Sequence, residues 1–219
     1  MPRALFEKTG QAVYISHLDL MRLFQRAFKR AGLLLTHTKG FNPRPSVSIA
    51  LPLSLGIESQ CELLDFDLEG EAVSCEEIRE RLNRTLTDGI RILEVYDNGA
   101  KLKHLAYLSC EVTLEYDAGF PADAAERIRE LFTQPELIVE KKGKNGITEQ
   151  NIVPMIQELR VEECNANELC LEALICCQNP TLNPAQLAAA IAKYLPDLKP
   201  DFVRISRREI YNTDKEIFR

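Results

Sequence analysis

The sequence predicts an α+β protein made of two tandem ferredoxin-like (βαββαβ) domains, over residues 1–98 and 105–219. Three observations predict it. Strand-like and helix-like stretches follow the order β-α-β-β-α-β through residues 3–96, which is the split βαβ arrangement. Nearly the same order returns after residue 105, with one extra strand. Between them, residues 97–105 (DNGAKLKHL) are polar and contain Gly99, as a linker does. A single larger α+β sheet is the alternative. The length of 219 residues suits one large domain or two of about 100 residues each.

Each element has a local reason. Residues 3–8 and 11–15 are strand-like, with Gly10 as a bend between them. Ser16 opens a helix, and Ser16-His17-Leu18-Asp19 fits a capping box with an acid at the far position. Leu20, Met21, Phe24, Ala27, Phe28 and Ala31 then form one apolar helical stripe, and Gly32 ends the helix. Two prolines and a glycine make Lys39 to Pro45 a structured loop. Val47, Ile49 and Leu51 alternate as a strand, and residues 63–68 give another. Ser74 caps an amphipathic helix through Leu86, followed by a strand over 90–96. In the second half, residues 106–116 read as a strand and 121–132 as a helix. Residues 137–141 read as a strand and 142–146 as a turn. Residues 152–162 and 168–176 read as a hairpin around Cys164-Asn165-Ala166-Asn167. Residues 183–194 read as a helix and 202–211 as a closing strand.

Composition narrows the function classes. Hydrophobic residues make up 45% and charged residues 27%, so a core can form and global disorder is excluded. No run of 18 apolar residues occurs, and the N-terminal MPRALFEKTG lacks the apolar stretch of a signal peptide. Seven irregularly spaced Cys read as reduced thiols. These features predict a cytoplasmic protein with no membrane association. A net charge of −6 argues against a nonspecific nucleic-acid binder. The average conceals an asymmetry: residues 1–60 hold eight Lys and Arg against three acids, a net of +5, leaving −11 for the remainder.

Several chemistries are missing from the sequence. The Cys residues contain no C-x₂-C pair and no cluster-binding triplet, and His17, His37 and His104 lie far apart. No metal and no cofactor is therefore expected. Neither a phosphate-binding glycine motif nor a G-x-S-x-G nucleophile elbow occurs. The informative stretch is His17 to Gly56. Arg22, Arg26, Lys29 and Arg30 line the helix face opposite the apolar stripe, with no acid after Asp19. A face serving solubility alone mixes signs, so an anion-facing role is favoured over a solvated surface. In the following loop, Lys39 and Arg44 are suited to phosphate, Phe41 to stacking on a base and Asn42 to a polar edge. Phe41 as a core anchor of a rigid turn is the competing reading. Beside the helix cap, His17 sits where the backbone dipole favours a neutral imidazole; it is a weak acid–base candidate. With the strand residue Lys8, the RNA- or anion-binding set is Lys8, His17, Arg22, Arg26, Lys39, Phe41, Asn42 and Arg44.

Ser16 to Asp19, the basic helix, Gly40 to Pro45 and Gly56 to Ser59 occur together in this order. The ordered series resembles the radical-SAM-linked domain family of unknown function, densely over residues 3–70 and more loosely beyond. The resemblance implies a radical S-adenosylmethionine enzyme as partner, acting on RNA or ribosomal components. It supplies no catalytic residues to carry over. Tandem ferredoxin-like modules also resemble CRISPR repeat-processing endoribonucleases and related RNA-binding proteins, at the level of fold alone. The expected function is thus a non-catalytic RNA-binding accessory protein. One alternative is an RNA-processing or RNA-modifying enzyme using His17. Another is a protein–protein adaptor whose acidic second half docks a basic partner.

Overall fold

The computed structural model describes residues 1–143 and 146–219. The chain has a mixed α+β fold, with four α-helices among the described residues. It divides into two compact units. Unit 1 comprises Met1–His104 together with Phe218–Arg219, and unit 2 comprises Leu105–Ile217. The division differs from the expected 1–98 and 105–219 in two ways. Residues 99–104 belong to unit 1, where Leu102–His104 forms a short 3₁₀ turn. The last two residues also return to unit 1.

Unit 1 contains β1 (Arg3–Lys8), α1 (His17–Arg30), β2 (Val47–Ala50), β3 (Glu58–Phe66), α2 (Cys75–Asn83) and β4 (Ile90–Tyr96). Antiparallel pairings give the order β4-β1-β3-β2. Ser16 caps α1 by accepting from the Asp19 amide at 3.2 Å, and Ser74 caps α2 through the Glu77 amide in the same way. The α1 stripe of Leu20, Phe24, Ala27 and Phe28 is buried. Phe24 meets Phe6 of β1 edge-on at 4.9 Å between ring centroids, and Phe28 meets Phe66 of β3 at the same distance. Residues 11–15, expected as a strand, instead belong mostly to a 3₁₀ turn over Gly10–Tyr14. This turn packs beside the β4 entry, where Thr9 N donates to Gly89 O at 2.8 Å. A Cβ on Gly89 would stand 2.3 Å from the Thr9 carbonyl, and its φ of +80° is left-handed, so only glycine fits.

Unit 2 contains β5 (Leu105–Glu115), α3 (Ala124–Phe132), β6 (Ile138–Gly143), β7 (Gly146–Asn151), β8 (Ile156–Asn165), β9 (Glu168–Cys176), α4 (Ala185–Tyr194) and β10 (Phe202–Asn212). Its main strands run in the order β10-β5-β9-β8, and β6 and β7 form a separate hairpin. The extra element is thus a two-stranded insertion between α3 and β8. The turn expected over 142–146 is reduced by β6 extending to Gly143 and β7 starting at Gly146; residues 144–145 lie outside the described residues. Helix α3 buries Ala124, Ala125, Ile128 and Leu131, and α4 buries Leu187, Ala188, Ala190 and Ile191. The β8–β9 register brings Cys164 and Cys170 together as a disulfide, with Cα atoms 6.2 Å apart. The expectation of seven free thiols is corrected accordingly: Cys61, Cys75, Cys110, Cys176 and Cys177 stand outside any disulfide. No described helix is long and apolar enough to cross a membrane.

Candidate anion-binding groove

The polar side of α1 faces a groove of about 570 Å³, lined by Asp19, Arg22, Arg26, Arg30, Leu23, Ile15 and Thr87. Its geometry follows from helix spacing. Residues four apart stack along one face and advance about 6 Å per step at 1.5 Å per residue, so Arg22, Arg26 and Arg30 form a row of cations. The two ends of the row are held. Arg22 Nη1 donates to Asp19 Oδ1 at 2.9 Å, and Arg30 Nη2 donates to the Thr85 carbonyl at 2.6 Å. The Arg26 side chain, at the middle, makes no hydrogen bond or ion pair among the described residues. Asp19 accepts from the Ser16 hydroxyl at 2.7 Å as well as from Arg22, and these two contacts hold its carboxyl below the ordinary carboxylate range. The acid is thereby committed to the helix cap and to one end of the row. The groove presents positive charge, and its Asp19 carboxylate is already engaged.

The eight residues singled out in the sequence separate into four places. Arg22 and Arg26 line the groove. Arg30 joins them; its signal in the sequence is its place in the same helical row, and the Thr85 carbonyl completes it. His17 is the exposed first residue of α1 and does not line the groove; no hydrogen bond or ion pair holds its ring among the described residues. Lys39, Phe41, Asn42 and Arg44 lie in the loop after α1, away from the groove lining. This loop is closed by Thr38 N on the Arg44 carbonyl at 2.9 Å and by Arg44 N on Thr38 Oγ1 at 3.0 Å. Phe41 is fully exposed at 105% and anchors no core, and Lys39, Asn42 and Arg44 are exposed around it.

Lys8 is the exception among the cations. It is 1% exposed, and its ammonium donates to the carbonyls of Ile15 at 2.8 Å and Val13 at 3.2 Å. Burial lowers its pKa, with the Glu62 charge opposing. Lys8 therefore pins the 3₁₀ turn to β1 from inside and is corrected out of the exposed binding set. A strand lysine reads as exposed until the turn that wraps it is known.

Unit 2 carries a second concavity of about 560 Å³ on its sheet, lined by Glu111, Glu158, Glu172, Arg160, Arg208, Lys215 and their apolar neighbours. Here the charges largely neutralise one another. Arg208 pairs with Glu111 at 2.7 Å and Lys215 with Glu158 at 3.2 Å, while nearby Arg204 pairs with Glu115 at 2.6 Å and Glu168 at 2.7 Å. Among the described residues no group of three or more His, Cys, Asp or Glu side chains is arranged to hold a metal ion.

Residues 2–184 match the family model described as an uncharacterized protein conserved in bacteria (DUF2344). No curated protein matches the chain. Among solved structures, a chain of the Cbf5-Nop10-Gar1 complex crystal structure aligns with a TM-score of 0.52 at 8% identity, covering 95% of this chain and 48% of that one. This chain thus spans about half the length of that relative, and the likeness bears on fold alone. An unknown protein from Galdieria sulphuraria aligns over 94% of this chain and 95% of its own at 13% identity, with a TM-score of 0.27, too low to bear on fold.

Proposed function

We propose, from the premise that this chain belongs to the DUF2344 family, that it is an RNA-binding accessory protein whose phosphate contacts are made by the α1 groove. The observation that carries the reading is Arg26: an unpaired guanidinium in a groove between two tethered ones. A row of cations rising about 6 Å per step suits successive phosphates of a strand. Guanidinium groups hold phosphate oxygens bidentately. Lys29, Lys39 and Arg44 are exposed on the same unit and extend the field. Phe41 offers an aromatic face for stacking on an unpaired base. We read each unit as ferredoxin-like, because both keep one sheet order: the fourth, first, third and second main strands. The radical S-adenosylmethionine partner rests on the resemblance of residues 16–19, 40–45 and 56–59. The His17 enzyme reading has less support, since no general-base partner orients the imidazole among the described residues.

Fluorescence anisotropy with a labelled stem-loop RNA tests the reading at two salt concentrations. Arg26→Glu should weaken binding at low salt at least tenfold and shallow the salt slope by about one counterion. Reversing Arg22, Arg26, Lys39 and Arg44 together should abolish binding while each exposed change costs about 0.5 kcal/mol or less in stability. His17→Ala should bind as wild type. Wild-type affinity in the fourfold reversal would reduce the basic face to a solvated helix surface.

A further inference from the structure

We infer that the outer edge of β8, together with the groove between β8 and α3, is a docking site for an extended basic segment of a partner protein, taken up as an added β-strand. Three observations carry this, and none depends on RNA binding. First, β8 is the end strand of the unit 2 order β10-β5-β9-β8, ten residues long and free of proline, and no described strand pairs with its far side. Such an edge leaves a row of amides and carbonyls for another chain to pair with. Second, a groove of about 370 Å³ runs beside that edge, with Phe132, Ile156, Leu159 and Val161 as its apolar wall. An edge strand backed by a helix-lined groove satisfies both needs of strand addition: main-chain pairing for affinity, and pockets for alternate side chains for register. Third, Arg129 of α3 lies over this edge and donates to the Val161 carbonyl at 2.6 Å. One edge acceptor is thus occupied by a long, exposed side chain that a strand amide can replace.

Charge selects the occupant. Strand β8 carries Glu158, Glu162 and Glu163 against Arg160. Glu158 is paired with Lys215, whereas Glu162 and Glu163 are exposed and have no ion-pair partner among the described residues. Opposite charges directly across a strand pair are favourable and like charges unfavourable. Leu159, Val161 and Glu163 share one face of β8, and Arg160 and Glu162 the other; the complementary strand therefore alternates apolar residues beside Leu159 and Val161 with Lys or Arg beside Glu162, and carries a further cation where it passes Glu163. A second copy of β8 is a poorer occupant, because its own surplus of Glu would face the same carboxylates.

The test uses the full chain and two synthetic probes, Ac-(Lys-Val)₄-amide and Ac-(Glu-Val)₄-amide, with binding read by anisotropy and by hydrogen exchange. The lysine peptide should bind saturably, protect β8 amides, and exceed the glutamate peptide at least tenfold. Glu162→Lys with Glu163→Lys, both surface changes, should reverse that preference. Arg129→Ala should tighten binding several-fold by freeing the Val161 carbonyl. A lysine peptide N-methylated at every second residue keeps its charge and loses one edge of amides, so it should not bind. Equal affinity of the methylated and parent peptides would reduce the contact to charge alone and overturn strand addition. So would a lack of β8 protection, or a chain dimer that the peptide fails to dissociate.

Discussion

Tyr116 ties the end of β5 to the segment after α4, its hydroxyl donating to the Leu198 carbonyl at 2.9 Å. Burial, with Asp201 adding to it, pushes the phenol from 10.0 up to about 12. The folded state therefore holds this proton longer than the unfolded chain does. Its contribution is complete below pH 10 and is lost as pH rises toward 12, up to about 3 kcal/mol at roughly 1.4 kcal/mol per pH unit. Cys110 and Cys177, buried and raised from 9.0 to about 12, add a decline of the same sign that starts near pH 9. Urea unfolding at pH 8, 10 and 11 should show falling stability. Tyr116→Phe should cost about 1 kcal/mol at pH 8 for the lost hydrogen bond and flatten the change between pH 10 and 11. A wild-type curve independent of pH over this range would contradict the assignment. Single residues were the least legible scale in the sequence. Lys8 reads as a surface cation because nothing in its neighbours reveals that the Val13 and Ile15 carbonyls close over it. Phe41 in its Pro- and Gly-rich loop reads first as a core anchor, and only the folded loop shows the ring to be exposed.

Helix α1 shows what an element discloses in advance. Its Leu20, Phe24, Ala27 and Phe28 spacing announces the buried face, and the same period places Arg22, Arg26 and Arg30 in one row on the other. The cap is equally plain. Ser16→Ala should lower stability by about 1 kcal/mol. It should also raise the Asp19 pKa by removing the first of the two contacts that depress it, which an NMR titration of that carboxyl would follow. An unmoved pKa would leave Arg22 as the dominant partner. Other elements hide for physical reasons. Residues 11–15, QAVYI, are rich in β-branched and aromatic side chains like a strand, yet three-residue hydrogen bonds such as Ile15 N to Ala12 O curl them into a turn. Strand β7, GITEQN, is largely exposed and therefore carries no buried face to generate a pattern.

For the whole molecule, the asymmetry of charge survives folding. Unit 1 has fifteen Lys and Arg against fourteen Asp and Glu, a net of +1, and unit 2 has twelve against nineteen, a net of −7. The units divide between His104 and Leu105. That Phe218 and Arg219 belong to unit 1 has no signal in the sequence, because it depends on contacts between residues far apart along the chain. Phe218 is 1% exposed, with the Arg3 guanidinium 5.5 Å above its ring, and the Arg219 carbonyl accepts from Ala100 N at 2.6 Å. Arg3 itself is bound to Asp65 at 2.6 Å. Phe218→Ala should cost about 3 kcal/mol, seen as faster hydrogen exchange in β1; unchanged exchange there would show the ring to be dispensable. This closure also sets an order in time. A ribosome makes the chain from its N-terminal side onward, so Arg3 emerges before unit 2 and the ring beside it, Phe218, emerges after unit 2. A nascent unit 1 must therefore wait, with one part of its core uncovered, until all of unit 2 has been synthesised.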